Sequence, residues 1–137
     1  MIGLLILAYE GVGNGLIDAA SHVLGKRPPR LEALALNYNE TPEYLAVTIR
    51  EKINSLDDGA GIIILSDIYG ASHTNAACRL LDSGHIELIA GINLPMLIRI
   101  INYRHLPIND VMEKAMAGGC GGIFHPCVPA KPDGTPA

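Results

Sequence analysis

The segment Asp67-Ile68-Tyr69-Gly70-Ala71-Ser72-His73-Thr74-Asn75 gathers a carboxylate, two aliphatic hydroxyls, an imidazole and an amide in one short stretch. An aspartate in such a position can orient an imidazole through its N–H, while Ser72 or Thr74 and the start of a helix can take a phosphate oxygen. The competing structural reading makes Ser72 or Thr74 an N-cap and Asp67 a loop acid. A second candidate is Gly11-Val12-Gly13-Asn14-Gly15, whose backbone N–H groups could hold an anion. Leu16 stands where a third glycine would complete a dinucleotide fingerprint, and no Gly-Lys-Ser or Gly-Lys-Thr marks a nucleotide P-loop. A tight turn that needs glycine on steric grounds explains the same residues.

Other candidates are weaker. His22 and His85 read as surface residues and His105 as a turn residue beside Arg104. Cys120, His125 and Cys127 can be drawn as a three-ligand metal group, but a glycine- and proline-rich tail makes unstructured sequence the simpler reading. No metal and no cofactor is expected.

Short β-like runs alternate with helical periodicities, which is the pattern of a parallel or mixed sheet with crossover helices, so the fold class is α/β. Gly3 to Ala8 reads as the first strand, followed by a helix with Leu16, Ile17, Ala20, Val23 and Leu24 inward and Gly25 as its stop. Leu31 to Leu36 is the second strand. Thr41 caps the next helix, with Pro42 in its first turn and Leu45, Ile49, Ile53 and Leu56 on one face. Gly61 to Ser66 suits a central strand covered on both faces. A helix from Ser72 or Thr74 to Leu81 and a strand from Ile86 to Ala90 follow. Asn93 caps the fourth helix, and Pro107 opens the last, which is expected to end near Ala117 where Gly118-Gly119-Cys120-Gly121-Gly122 breaks it. Ile123-Phe124 is left as a short edge strand. In an open α/β sheet the ligand site lies at the carboxyl ends of the strands, which singles out the loops Tyr9–Asn14 and Asp67–Asn75.

Composition bounds the function classes. The 137 residues are 49% hydrophobic and 18% charged, which fits one compact domain and excludes disorder. A formal charge of −4 supplies no basic field for nucleic acid or anionic lipid. The apolar run Met1 to Ala8 has no basic stretch before it, so neither a signal peptide nor an anchor fits, and no apolar stretch approaches the roughly 18 residues of a membrane span. Three cysteines without a Cys-x-x-Cys pair argue for a reducing compartment, and a soluble, cytoplasmic protein is the expectation.

The order Gly3-Leu4-Leu5-Ile6-Leu7, a helix, Ile62 through Ala77 with its Asp67-x-x-Gly70-Ala71-Ser72 loop, and Ala90-Gly91-Ile92-Asn93-Leu94-Pro95-Met96-Leu97 resembles the mannose-type (fructose/mannose) IIA domain of the bacterial phosphoenolpyruvate-dependent sugar phosphotransferase system (PTS). The likeness runs from residue 1 to about 125, leaving 126–137 as a proline-rich, flexible tail. Asn102-Tyr103-Arg104 with Gly118-Gly119 is similar to stand-alone members in regulatory phosphorelays. The resemblance implies a four-stranded parallel core with helices on both faces and a homodimer completed by an exchanged C-terminal strand. It also implies phosphoryl transfer from the histidine phosphocarrier HPr onto a histidine at the end of strand one, with a IIB or regulatory protein as a further partner.

That histidine is absent, because none occurs before His22. Counting back from Leu16 places the family histidine on Tyr9; matching the following glycine to Gly11 places it on Glu10. The ungapped register favours Tyr9. A phosphohistidine is labile enough to pass its group on, whereas a tyrosine phosphate is a stable ester, and Glu10 beside Asp67 would repel a phosphoryl group. The expected catalytic positions are thus Tyr9, with Glu10 as alternative, and Asp67; the expected phosphate or partner pocket is Glu10, Gly11, Ser72, His73, Thr74 and Asn75. His73 stands where the family commonly has proline, and its plain reading is a helix-start residue facing solvent or a partner. The leading expectation is a IIA-like domain kept for regulation or binding after loss of its acceptor. An active phosphotransferase using His73, and a small-anion or metabolite-binding module, are the alternatives.

Overall fold

The computed structural model describes residues 1–36, 40–68 and 72–127. Along these the elements run β1 (Gly3–Tyr9), α1 (Val12–Leu24), β2 (Leu31–Leu36), α2 (Pro42–Leu56), β3 (Ile62–Ser66), α3 (Ser72–Cys78), β4 (Ile86–Ala90), α4 (Leu94–Tyr103) and α5 (Ile108–Gly121). The strands form one four-stranded, all-parallel sheet in the order β2-β1-β3-β4. The chain belongs to the α/β class with helices on both faces.

Alternation along the strands divides the core in two. Leu4, Ile6, Ala8, Ile63, Leu65 and Ile89 face α1, α4 and α5, whereas Leu5, Leu7, Ile62 and Ile64 face α2 and α3. Every residue of β3 is buried, as its unbroken apolar run requires for a strand sandwiched between helix layers. Because β1 pairs with β2 on one side and β3 on the other, with α1 and α2 on opposite faces, the strand order reverses beside β1. This reversal opens the crevice at the carboxyl ends of β1 and β3.

Local capping follows the sequence. The Thr41 Oγ1 accepts the Tyr44 N–H at 3.2 Å, and Asn93 Oδ1 accepts the Met96 N–H at 2.9 Å. Gly25 closes α1 with φ 80°. Val23 is exposed rather than inward, because it falls on the outer edge of the α1 apolar stripe.

Three expectations need correction. The glycines after Ala117 do not break the last helix: α5 continues through Gly121. Gly118 and Gly119 are buried there against α4, where a Cβ would stand 2.7 Å from Arg99 Cβ and 2.6 Å from Met96 Cε. Close helix approach, not chain reversal, explains these glycines, and packing offsets their poor propensity. Ile123 and Phe124 form no strand in the single chain and are 76% and 73% exposed. The third helix ends at Cys78, short of Leu81, passing into a turn in which the Leu80 N–H donates to Ala77 O. Residues 128–137, most of the expected tail, lie outside the described residues. Among those described, no helix is long and apolar enough to cross a membrane.

Candidate functional site

The parallel pairing of β1 with β3 matches Leu7 to Ser66, so the two strands deliver Tyr9 and Asp67 to the same end of the sheet. The Tyr9 backbone N–H donates to Asp67 Oδ2 at 2.9 Å. Asp67 Oδ1 accepts the Ile68 N–H at 2.9 Å and lies 3.0 Å from His73 Nε2. One carboxylate thereby ties the end of β1, its own loop and the first turn of α3. The Ser66 hydroxyl donates to Ile68 O and tightens the same loop.

Burial would raise the Asp67 carboxyl, but the Tyr9 N–H, the His73 imidazole and the Ile68 N–H outweigh it and hold the group below its ordinary value. Asp67 is therefore ionised at neutral pH. An ionised carboxylate can only accept, so His73 Nε2 is the donor in their contact and Nδ1 is left without a role in it.

His73 does not face solvent: only 7% of it is exposed, and its ring packs into the crevice against Asp67. Its burial comes from position rather than type, since the first turn of α3 is drawn against the carboxylate that ends β3. Thr74 is fully buried, whereas Asn75 points outward. Tyr9 is 52% exposed with its backbone anchored, and Glu10 is exposed. Gly11 takes φ 87° as the N-cap of α1, a left-handed conformation that glycine adopts without a Cβ clash. The structure thus brings together Tyr9, Asp67 and His73 and leaves Glu10 and Asn75 at the rim. Tyr69, Gly70 and Ala71 lie outside the described residues, as does the side chain of Ser72. Cys120, His125 and Cys127 are all exposed.

Sequence reasoning passed over a second aspartate–histidine pair at the opposite end of the sheet. His85 Nε2 lies 2.6 Å from Asp57 Oδ2, and Asp57 Oδ1 accepts the Gly59 and Gly61 N–H groups. The partners are far apart in sequence, so no local motif announces them.

The family model for the PTS system fructose IIA component matches residues 3–116. The chain belongs to this family. It is 42% identical over 104 residues to the PTS system mannose-specific EIIAB component of Escherichia coli (strain K12), an alignment covering 75% of this chain and 32% of that protein. The chain thus spans about a third of the length of that relative. The PTS system fructose-specific EIIA component of Bacillus subtilis (strain 168) is 23% identical over 119 residues, covering 85% of this chain and 81% of that one. Two solved structures share the fold. The mannose/sorbose specific IIA subunit from Enterococcus faecalis superposes with TM-score 0.82 at 11% identity, covering 95% of this chain and 98% of that one. The EIIA component from Streptococcus agalactiae gives 0.79 at 19% identity, covering 91% and 97%. A IIA-type component of the sugar phosphotransferase system is the functional class these relatives establish.

Proposed function

We propose that this chain is a IIA-type domain that has kept its docking site but lost transferable phosphoryl chemistry, and that it acts as a regulatory or binding partner of the PTS. The carrying observation is the division of the Asp67 carboxylate. One oxygen takes the Tyr9 N–H, and the other takes the Ile68 N–H and is met by His73 from the first turn of α3. An acceptor at the end of β1 would need to form a labile phosphoryl compound there: a phosphate on Tyr9 is a stable ester, and Glu10, whose acyl phosphate would be labile, is exposed and as a carboxylate repels an incoming phosphoryl group. Electrostatic and positional help from Asp67 cannot replace the acceptor itself. The proposed partners are an HPr-like phosphocarrier, a IIB or regulatory protein and a second copy of this chain, in the cytoplasm.

Incubation with phosphoenolpyruvate, enzyme I and HPr tests this reading. The unmodified chain is expected to stay unlabelled. Acid-labile label that the chain passes on would overturn the loss of transferable chemistry, whereas acid-stable label would mark a hydroxyl ester that goes no further.

A second reading is favoured by one observation, the 3.0 Å contact between His73 and Asp67. An imidazole oriented by a carboxylate through Nε2 could accept a phosphoryl group on Nδ1. Its near-complete burial opposes in-line approach by a phosphorylated partner, and this places the reading second. Efficient acid-labile labelling that is abolished by His73→Ala would put it first.

A further inference from the structure

At the end of the sheet opposite Tyr9, a cavity of about 410 Å³ opens between the end of α1, the loop into β2 and the end of α4. Leu24, Pro28 and Ile101 furnish apolar wall, and Lys26, Asn102, Arg104 and His105 furnish the polar lining. The volume falls within the range of small-molecule pockets, toward its lower end.

Arg104 gives the cavity its chemistry. It is 3% exposed, and its guanidinium donates only to backbone carbonyls: Nε to Ile2 at 2.9 Å, Nη1 to Pro29 at 2.6 Å, and Nη2 to Ile2 and Arg30. These contacts staple the loop after α4 to the starts of β1 and β2. They account for four of the five guanidinium N–H groups; among the described residues the second Nη1 hydrogen has no acceptor. They also leave the charge uncompensated. Among the described residues neither Arg104 nor Lys26 forms an ion pair, and Asp58 is held by the Met1 ammonium at 2.8 Å with Arg30 Nε at 3.9 Å.

Carbonyl dipoles satisfy hydrogen bonds, but a buried cation without a counter-ion retains most of its desolvation cost. Burial and the neighbouring Arg30 pull the Arg104 guanidinium down to about 10, with Asp58 opposing weakly. The pole therefore carries an excess of positive charge beside an apolar hollow.

We propose that this cavity binds a small aliphatic carboxylate, its headgroup between Lys26, His105 and the spare Arg104 N–H and its chain against Leu24, Pro28 and Ile101. A monoanion suits a single spare guanidinium N–H with one flexible ammonium. An apolar body suits the wall, which a bare inorganic ion would leave uncovered. The site lies at the far end of β1 from Asp67 and does not depend on the reading of the phosphoryl site.

Titration of the ¹⁵N-labelled full chain with sodium hexanoate, with 1-hexanol and inorganic phosphate as comparison probes, tests the assignment. Saturable amide shifts at Lys26, Ile101, Asn102 and His105 are expected with hexanoate, half-complete below about 10 mM. Lys26→Gln and His105→Gln alter exposed residues and leave the Arg104 staple intact; Lys26→Gln is expected to weaken hexanoate roughly tenfold, the effect of one charge-assisted hydrogen bond. Equal shifts with 1-hexanol would show an apolar hollow without anion recognition. Tighter binding of phosphate than of hexanoate would refute the carboxylate class, and shifts that never saturate would refute the site.

Discussion

Removing the Asp67 carboxylate should destabilise the fold as well as the site, because that group bridges β1, the β3–α3 loop and α3. Its three contacts, at 2.9, 2.9 and 3.0 Å, all go to N–H donors. Hydrogen bonds to a charged group contribute about 1.5–3 kcal/mol each when shielded from water, and the side chain, roughly a fifth exposed, is partly screened, so about 1 kcal/mol each applies. Asp67→Ala is expected to cost about 3 kcal/mol, and Asp67→Asn about 1–2 kcal/mol because its amide oxygen still accepts an N–H. For a chain of this size, with a urea slope of about 1–2 kcal/mol/M, the alanine variant should unfold at a midpoint roughly 1.5–3 M lower. The pH dependence has a definite sign. The folded carboxyl titrates below its ordinary value of 3.8, so its stabilisation is complete at neutral pH and is lost as pH falls through the folded value. Wild type and Asp67→Asn should thus differ at pH 7 and converge in strong acid. Equal urea midpoints at pH 7, or a difference that persists undiminished at about pH 2, would refute the bridging role.

Tyr9→His should gain acid-labile label from phosphorylated HPr, only in part because Glu10 adds negative charge nearby; gain by Glu10→His instead would show the alternative register. Asn93→Ala removes both the cap to Met96 and the Nδ2 bond to Gly119 O, and thermal unfolding should report a loss of about 1–2 kcal/mol. Gly118→Ala drives a Cβ to 2.7 Å from Arg99 Cβ, and the expected overpacking cost of about 1–3 kcal/mol should exceed the helix-propensity gain of up to about 1 kcal/mol in urea melts. The exposed Ile123 and Phe124 should be covered in a homodimer, so light scattering is expected to show dimers for the intact chain and a shift toward monomer for Phe124→Asp.

Periodicity and capping were legible from the sequence because they are local. The unbroken Ile62-Ile63-Ile64-Leu65 run required a strand covered on both faces, and Thr41-Pro42 and Asn93-Leu94-Pro95 marked helix starts that the folded chain uses. Asp67 and the crevice after β1 followed from the rule that parallel sheets present their ligands at strand ends, and Tyr9 meets Asp67 there. What only the tertiary structure decided are the choices made by neighbours distant in sequence. His73 became a buried partner of Asp67 because the fold draws the first turn of α3 against the end of β3, a fact its own flanking residues do not encode. The Gly118–Gly119 pair looks like a break in one dimension and is a helix contact in three, since only the approach of α4 reveals what a Cβ would strike. Arginine is a type that sequence alone places at the surface, yet the Arg104 charge is buried under carbonyls from Ile2, Pro29 and Arg30, because burial depends on how the sheet and α4 meet rather than on the residue's polarity.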